Sequence, residues 1–243
     1  IGIDALLDSA PNPLAPTARE SIAAALTADE QERFVAGLRR AVEALRTRKA
    51  AVALVPTMGA LHEGHLSLLD AARAECDTSV VTVFVNPTQF NNLEDLEKYP
   101  RPIEEDVTKL EQIGCDVLFM PEVDEMYSEN EEWNIDLGGL DSKLEGAFRP
   151  GHFQGVCQVM EKLLKIVMPN HLYLGQKDYQ QCKIIALLIK QMGLDQKIKV
   201  EICPTLRETD GLAMSSRNRR ISQDVRHNAD GIFLALSHIK NQL

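Results

Sequence analysis

The sequence predicts a doubly wound α/β domain, a parallel sheet covered by helices on both faces. Three observations predict it. Short continuous apolar runs recur along the chain, which is how a strand buried on both faces reads. Helix-length segments separate these runs. Pro or Gly closes nearly every run, so the chain turns at the end of each strand and leaves polar residues there.

The elements follow in order. Ala51–Val55 is an apolar run ended by Pro56, and a helix is expected from about Gly64 to Cys76. Ser79–Val85 is β-branched and ends at Asn86-Pro87. A helix from about Ile103 to Ile113 leads to the run Asp116–Met120, closed by Pro121. A helix from about Gly155 to Met168 precedes His171–Gly175, and one from about Tyr179 to Met192 precedes Ile198–Cys203. The result is a sheet of five strands whose ligands should bind at the carboxyl ends. Upstream, Pro11, Pro13 and Pro16 should hold the head extended, and helices are expected over 17–28 and 28–47. Residues 122–136 carry seven acids and no Lys or Arg, and read as a solvated loop.

Composition narrows the function classes. Hydrophobic residues make up 44% and charged residues 26% of 243, values of a globular protein. A net charge of −10 argues against a protein built to grip nucleic acid or an anionic membrane. No stretch approaches the roughly 18 apolar residues of a membrane span. Ile1–Ala10 has no basic leader, and the scattered cysteines Cys76, Cys115, Cys157, Cys182 and Cys203 lack C-x-x-C spacing. A cytoplasmic protein with reduced thiols is expected.

Four segments carry chemistry. Pro56-Thr57-Met58-Gly59-Ala60-Leu61-His62-Glu63-Gly64-His65 follows the first strand and opens a helix. Its backbone N–H groups and the helix dipole suit an anion, and His62 and His65, three apart, share one side of the helix start. Met214-Ser215-Ser216-Arg217, in a stretch holding five arginines against three acids over 205–226, suits a phosphate-binding loop. Gly175-Gln176-Lys177-Asp178 ends the fourth strand, where Lys177 offers a point charge and Asp178 can hold a ribose hydroxyl, a water or magnesium. Gln89, just past the second strand, offers a neutral amide to a substrate bearing hydroxyl and carboxylate groups. A surface turn capped by Asp178 is the plainer reading of the third segment.

Six motifs occur in order: P-T-M-G-A-L-H-E-G-H, N-P-T-Q-F, Y-P-R, E-G-A-F-R-P-G-H-F, G-Q-K-D-Y-Q-Q and D-G-L-A-M-S-S-R-N. Together, over about Phe34 to Ser222, they resemble the pantothenate synthetase (pantoate–β-alanine ligase) family of the H-x-G-H nucleotidyltransferase superfamily. The resemblance implies a Rossmann-like ATP- and pantoate-binding domain over 33–205, with residues 1–32 an extension of unknown role. Residues 206–243 would be the start of a lid domain, short and truncated. It implies ATP and Mg2+, the substrates pantoate and β-alanine, a cytoplasmic homodimer, and no nucleic-acid or membrane partner. By motif, Met58 to His65, Gly175 to Asp178, Leu206 and Met214 to Arg217 would bind ATP. His65 would be the proton donor, assisted by His62, while Lys177, Ser215, Ser216 and Arg217 would contact the polyphosphate. Gln89 and Gln181 would clamp pantoate, with Gln89 also near β-alanine. Magnesium ligands are unassigned, with Glu105, Asp106 and Asp178 as guesses. The chain departs from the family at Gln176, where Glu is usual. Two alternatives stay open: a related adenylyltransferase, and a fragment that binds nucleotide without completing the reaction.

Overall fold

The computed structural model describes residues 50–128 and 131–242. The helices expected over 17–28 and 28–47 lie outside them. The described chain begins with strand β1 (Val52–Thr57), helix α1 (Glu63–Glu75) and strand β2 (Thr78–Val83). Two short elements follow, a 3-10 turn (Pro87–Gln89) and α2 (Leu93–Glu97). Then come α3 (Ile103–Ile113), β3 (Val117–Phe119), α4 (Val123–Met126) and α5 (Glu145–Phe148). The second half is α6 (His152–Val167), β4 (His171–Gly175), α7 (Tyr179–Gln191), β5 (Lys199–Cys203), α8 (Gln223–Arg226) and α9 (Gly231–Gln242).

All five strands are parallel, in the order β3-β2-β1-β4-β5. Alternation along β1 divides the core. Val52 and Leu54 face a cluster built on α6 and α7, while Ala53 and Val55 face one built on α1 and α3. Helices therefore cover both faces, as the apolar runs predict. The order reverses between β1 and β4, so their carboxyl ends open a crevice.

Most boundaries shift by only one or two residues from the sequence reading, and two differences have a clear physical cause. β1 runs through Pro56 to Thr57 instead of stopping at Val55. Ala51 accepts hydrogen bonds from the β2 side, whereas Val52 bonds Asn170 on the β4 side. Alternation turns Pro56 toward β4, beyond Leu54, where that pairing ends. Its missing N–H is not needed there. α6 starts at His152, a turn before Gly155, because Gly151 takes a left-handed conformation (φ 78°) and Phe153 already faces the core. The acidic stretch turns Glu122, Asp124, Glu132 and Asp136 to solvent, as expected, but its apolar residues anchor it. Met126 is buried, and Tyr127, Trp133 and Ile135 pack on the core, while Glu131 pairs with Lys162 at 2.8 Å. The apolar residues interleaved among the acids hold it down. All five cysteines are free.

Candidate active site

The crevice is walled first by the turn between β1 and α1. Gly59 and Ala60 both take positive φ (79° and 51°). Asp106 of α3 holds that conformation from behind. Its two carboxylate oxygens accept the N–H groups of Ala60 and Leu61, each at 2.7 Å. A Cβ on Gly59 would sit 2.9 Å from Asp106 Oδ2, so only glycine fits. Lys109 Nζ donates to the Leu61 carbonyl at 2.7 Å, and Thr57 Oγ1 accepts from Gly59 N at 3.1 Å.

The turn delivers the two histidines in a fixed state. His62 Nδ1 accepts from Gly64 N at 3.1 Å, and His65 Nδ1 accepts from His62 N at 3.4 Å. Each Nδ1 is an acceptor, so each ring carries its hydrogen on Nε2 and offers it as a donor. The ring centroids lie 4.0 Å apart. Burial, with Lys177 and Lys109 nearby, lowers the His62 pKa to about 4. Burial, then His62 and Lys177, lowers that of His65 to about 3. In the free protein His65 is a neutral imidazole that donates a hydrogen bond. An arriving polyphosphate reverses the local charge and raises both values.

The second wall joins the end of β4 to the turn after β2. Lys177 Nζ lies 3.7 Å from Asp178, and Gln181 is half-buried in the first turn of α7. Opposite, the Gln89 amide is held at both ends. Its Oε1 accepts from Asn86 Nδ2 at 3.1 Å, and its Nε2 lies 3.0 Å from Met58 Sδ. Asn86 is itself fixed by Tyr127 OH at 2.7 Å. The turn presses on α6 at Gly155, where a Cβ would meet the Thr88 carbonyl at 2.2 Å. Behind Gln89, His152 Nδ1 donates to the Gln89 carbonyl at 2.8 Å.

The third wall is the Ser215–Arg220 turn. Ser215 Oγ caps Arg217 N at 3.3 Å, and Ser216 Oγ is buried 3.4 Å from Tyr99 OH. Asp95 takes both Arg217 (2.8 Å) and Arg220 (2.9 Å), which lowers its pKa. Arg219 faces Glu105 at 3.7 Å, and Arg226 bonds Glu208 and Asp210. Four of the five arginines over 205–226 thus pair with carboxylates, while Arg207 donates to the Gly211 carbonyl and lies over the Phe233 ring.

The crevice gathers Met58, His62, Gly64, His65, Gln89, Gly175, Lys177, Asp178, Gln181, Leu206 and Met214 to Arg217. Gly59, Ala60 and Leu61 are buried and shape the turn, while the Glu63 side chain is exposed. Gln176 lines a neighbouring depression with Lys177 and Tyr179. Of the guessed magnesium ligands, Asp106 is committed to two backbone amides and Glu105 pairs with Lys109 and Arg219 on the surface. Asp178 alone of the three lines the crevice. The sequence reading assigned no role to Asn86, Tyr99, Glu145, Arg149 or His152, which line it as well. Their signal was present, since all five sit inside the quoted motifs.

Comparisons with known proteins point to one family. A family model described as pantoate-beta-alanine ligase matches residues 32–242. A pantothenate synthetase of Thermodesulfovibrio yellowstonii is 47% identical over 199 residues, covering 82% of this chain and 70% of the relative. One from Porphyromonas gingivalis is 48% identical over 198 residues, with the same coverage. A Thermus thermophilus pantothenate synthetase structure superposes with a TM-score of 0.79 at 43% identity, covering 86% of this chain and 74% of that one. A Francisella tularensis pantoate-beta-alanine ligase, complexed with beta-gamma ATP and beta-alanine, superposes at 0.76 with 39% identity, covering 82% and 77%.

Proposed function

The chain belongs to the pantoate–β-alanine ligase family, and from that premise we propose how its crevice condenses pantoate with β-alanine at the expense of ATP. One observation carries the reading. Neutral Nε2–H donors, a lysine, two serines and an arginine converge on the same cavity as two side-chain amides, at the sheet's switch point. Donors of that kind suit a polyphosphate, and amides suit a hydroxy acid.

In the first half-reaction a pantoate carboxylate oxygen attacks the α-phosphorus of ATP. The new O–P bond forms as the bond to the β-phosphate breaks, and pyrophosphate leaves with that electron pair. His62 and His65 donate from Nε2 to the phosphoryl oxygens as charge builds there. Lys177, Ser215, Ser216 and Arg217 take the departing phosphates, while Gln89 and Gln181 hold pantoate for in-line attack. In the second half-reaction β-alanine, its amine deprotonated, attacks the acyl carbon. The C–O bond to AMP breaks, AMP leaves as an anion, and the nitrogen loses a second proton to solvent.

Magnesium accompanies ATP in this reading. Asp178 is the guessed carboxylate that fits, so the ion would rest mainly on phosphate oxygens and water, with Asp178 at hand. Bound there, it supplies charge neutralisation. Residues 206–242 act as a cover on the nucleotide side, a cytoplasmic homodimer is the working form, and residues 33–205 are the catalytic body. A related adenylyltransferase or a binding-only protein is not favoured, because relatives 47% and 48% identical carry the synthetase name.

The test is product analysis. Incubation with ATP, pantoate and β-alanine should yield AMP and pantothenate in equal amounts, and yield neither when any one is omitted. No AMP from the complete mixture contradicts the reading.

A further inference from the structure

One ion pair lines the crevice beside the residues given to ATP and pantoate. Glu145 opens α5 and Arg149 follows its last residue, and both line the cavity with Gln89 and Gln181. The guanidinium is aimed by a relay. His152 is 4% exposed, and its Nδ1 faces a carbonyl, which can only accept. That fixes the hydrogen on Nδ1 and leaves the Nε2 lone pair to accept from Arg149 Nη1 at 3.1 Å. A second nitrogen, Nη2, reaches the same Gln89 carbonyl at 3.4 Å. Arg149 is thereby tied from behind to the residue that would hold the pantoyl end. The same Nη1 also bonds Glu145, whose side chain is 42% exposed against 32% for Arg149.

Charge sorts the substrates. Lys177, Arg217 and the histidine pair form the anion-binding side, where ATP belongs. Pantoate carries hydroxyls and one carboxylate, which is consumed in adenylation. The amine substrate differs from both, with an ammonium at one end and a carboxylate at the other. A lone arginine would attract any anion, the pyrophosphate included, whereas an arginine already neutralised by a carboxylate suits a zwitterion that replaces both halves of the pair.

We propose that the Glu145–Arg149 pair is the receptor for the amine substrate, with Arg149 taking its carboxylate and Glu145 its ammonium end. The pair selects an ω-amino carboxylate over a simple amine. Swung from Arg149 to the incoming nitrogen, Glu145 holds the nucleophile beside Gln89 until it is deprotonated. This rests on the ligase reading given above.

The experiment compares β-alanine with its uncharged amide, 3-aminopropanamide, as nucleophile in the complete reaction. The native chain should favour β-alanine in kcat/KM by about 10- to 100-fold, the size of a charge-assisted bond. In Arg149→Met that preference should collapse toward one, through a raised KM for β-alanine. Arg149→Lys should regain part of it, because it keeps the charge and loses the fork. Glu145→Gln should raise the KM for both amines. Equal use of the two amines by the native chain overturns the proposal, as does an undiminished preference in Arg149→Met. The ratio is read within one protein, so a lower yield of folded variant does not disturb it. Pantoate-dependent pyrophosphate exchange in the native chain separates the two claims. Its absence removes the ligase reading itself, and its presence with an unchanged preference removes only this subsite.

Discussion

The two sides of the nucleotide crevice are built by different physics. On one side the β1–α1 turn is held from within, with Asp106 (2% exposed) fixing two amides and the half-buried His62 and His65 rings accepting from Gly64 N and His62 N. On the other side Ser215–Arg220 is held largely by ion pairs at the surface, where Asp95 takes both Arg217 and Arg220. Buried hydrogen bonds to a carboxylate are strong and insensitive to salt, whereas exposed ion pairs contribute about 0–1 kcal/mol and are screened. The difference teaches that the donors for phosphoryl charge are preformed, while the arginine-bearing side is free to exchange Asp95 for a ligand.

The comparison can be broken at its strongest point first. His65→Ala removes a preorganised donor and should slow adenylation by about 10²- to 10³-fold. Steady-state kinetics at saturating ATP reads this. A loss below tenfold would mean that the donor acts elsewhere.

Asp106→Ala should come next, through stability as well as rate. It strands two buried N–H groups and releases a turn with two positive φ angles, a loss of about 3 kcal/mol that urea unfolding would record. A variant with unchanged midpoint would show that the turn holds itself.

Acid should expose the same side. Unfolded, both imidazoles titrate near 6.5, and folded they titrate at about 4 and about 3. Between those values the unfolded chain binds more protons, so these two groups make stability fall as pH drops from about 6.5 toward 3. Replacing both with glutamine should flatten the thermal midpoint across that window, and an unaltered slope would contradict the assignment.

Asp95→Asn should have the smallest effect. It weakens two exposed pairs and should cost about 1 kcal/mol or less, with the difference vanishing at high ionic strength. A large, salt-independent loss would place this side with the rigid one.

The sheet was legible in the sequence because apolar runs and breakers are local signals. His171–Gly175 and Ile103–Ile113 match the structure end to end. Pro56 did not, since its tolerance depends on which neighbour its missing N–H faces. The motifs carried the crevice residues through resemblance, but not their state. That Asp106 serves two amides instead of a metal depends on α3 packing behind the turn, 45 residues away in sequence. The neutrality of His65 depends on burial. The compensation of four arginines by Asp95, Glu105, Glu208 and Asp210 depends on contacts that composition cannot report.

Pantoate-dependent exchange of labelled pyrophosphate into ATP, with β-alanine withheld, tests the central claim most directly, because it isolates the step that the preformed donors serve. Exchange that requires pantoate and falls in His65→Ala is the predicted result. Exchange without pantoate, or none with it, would contradict the account.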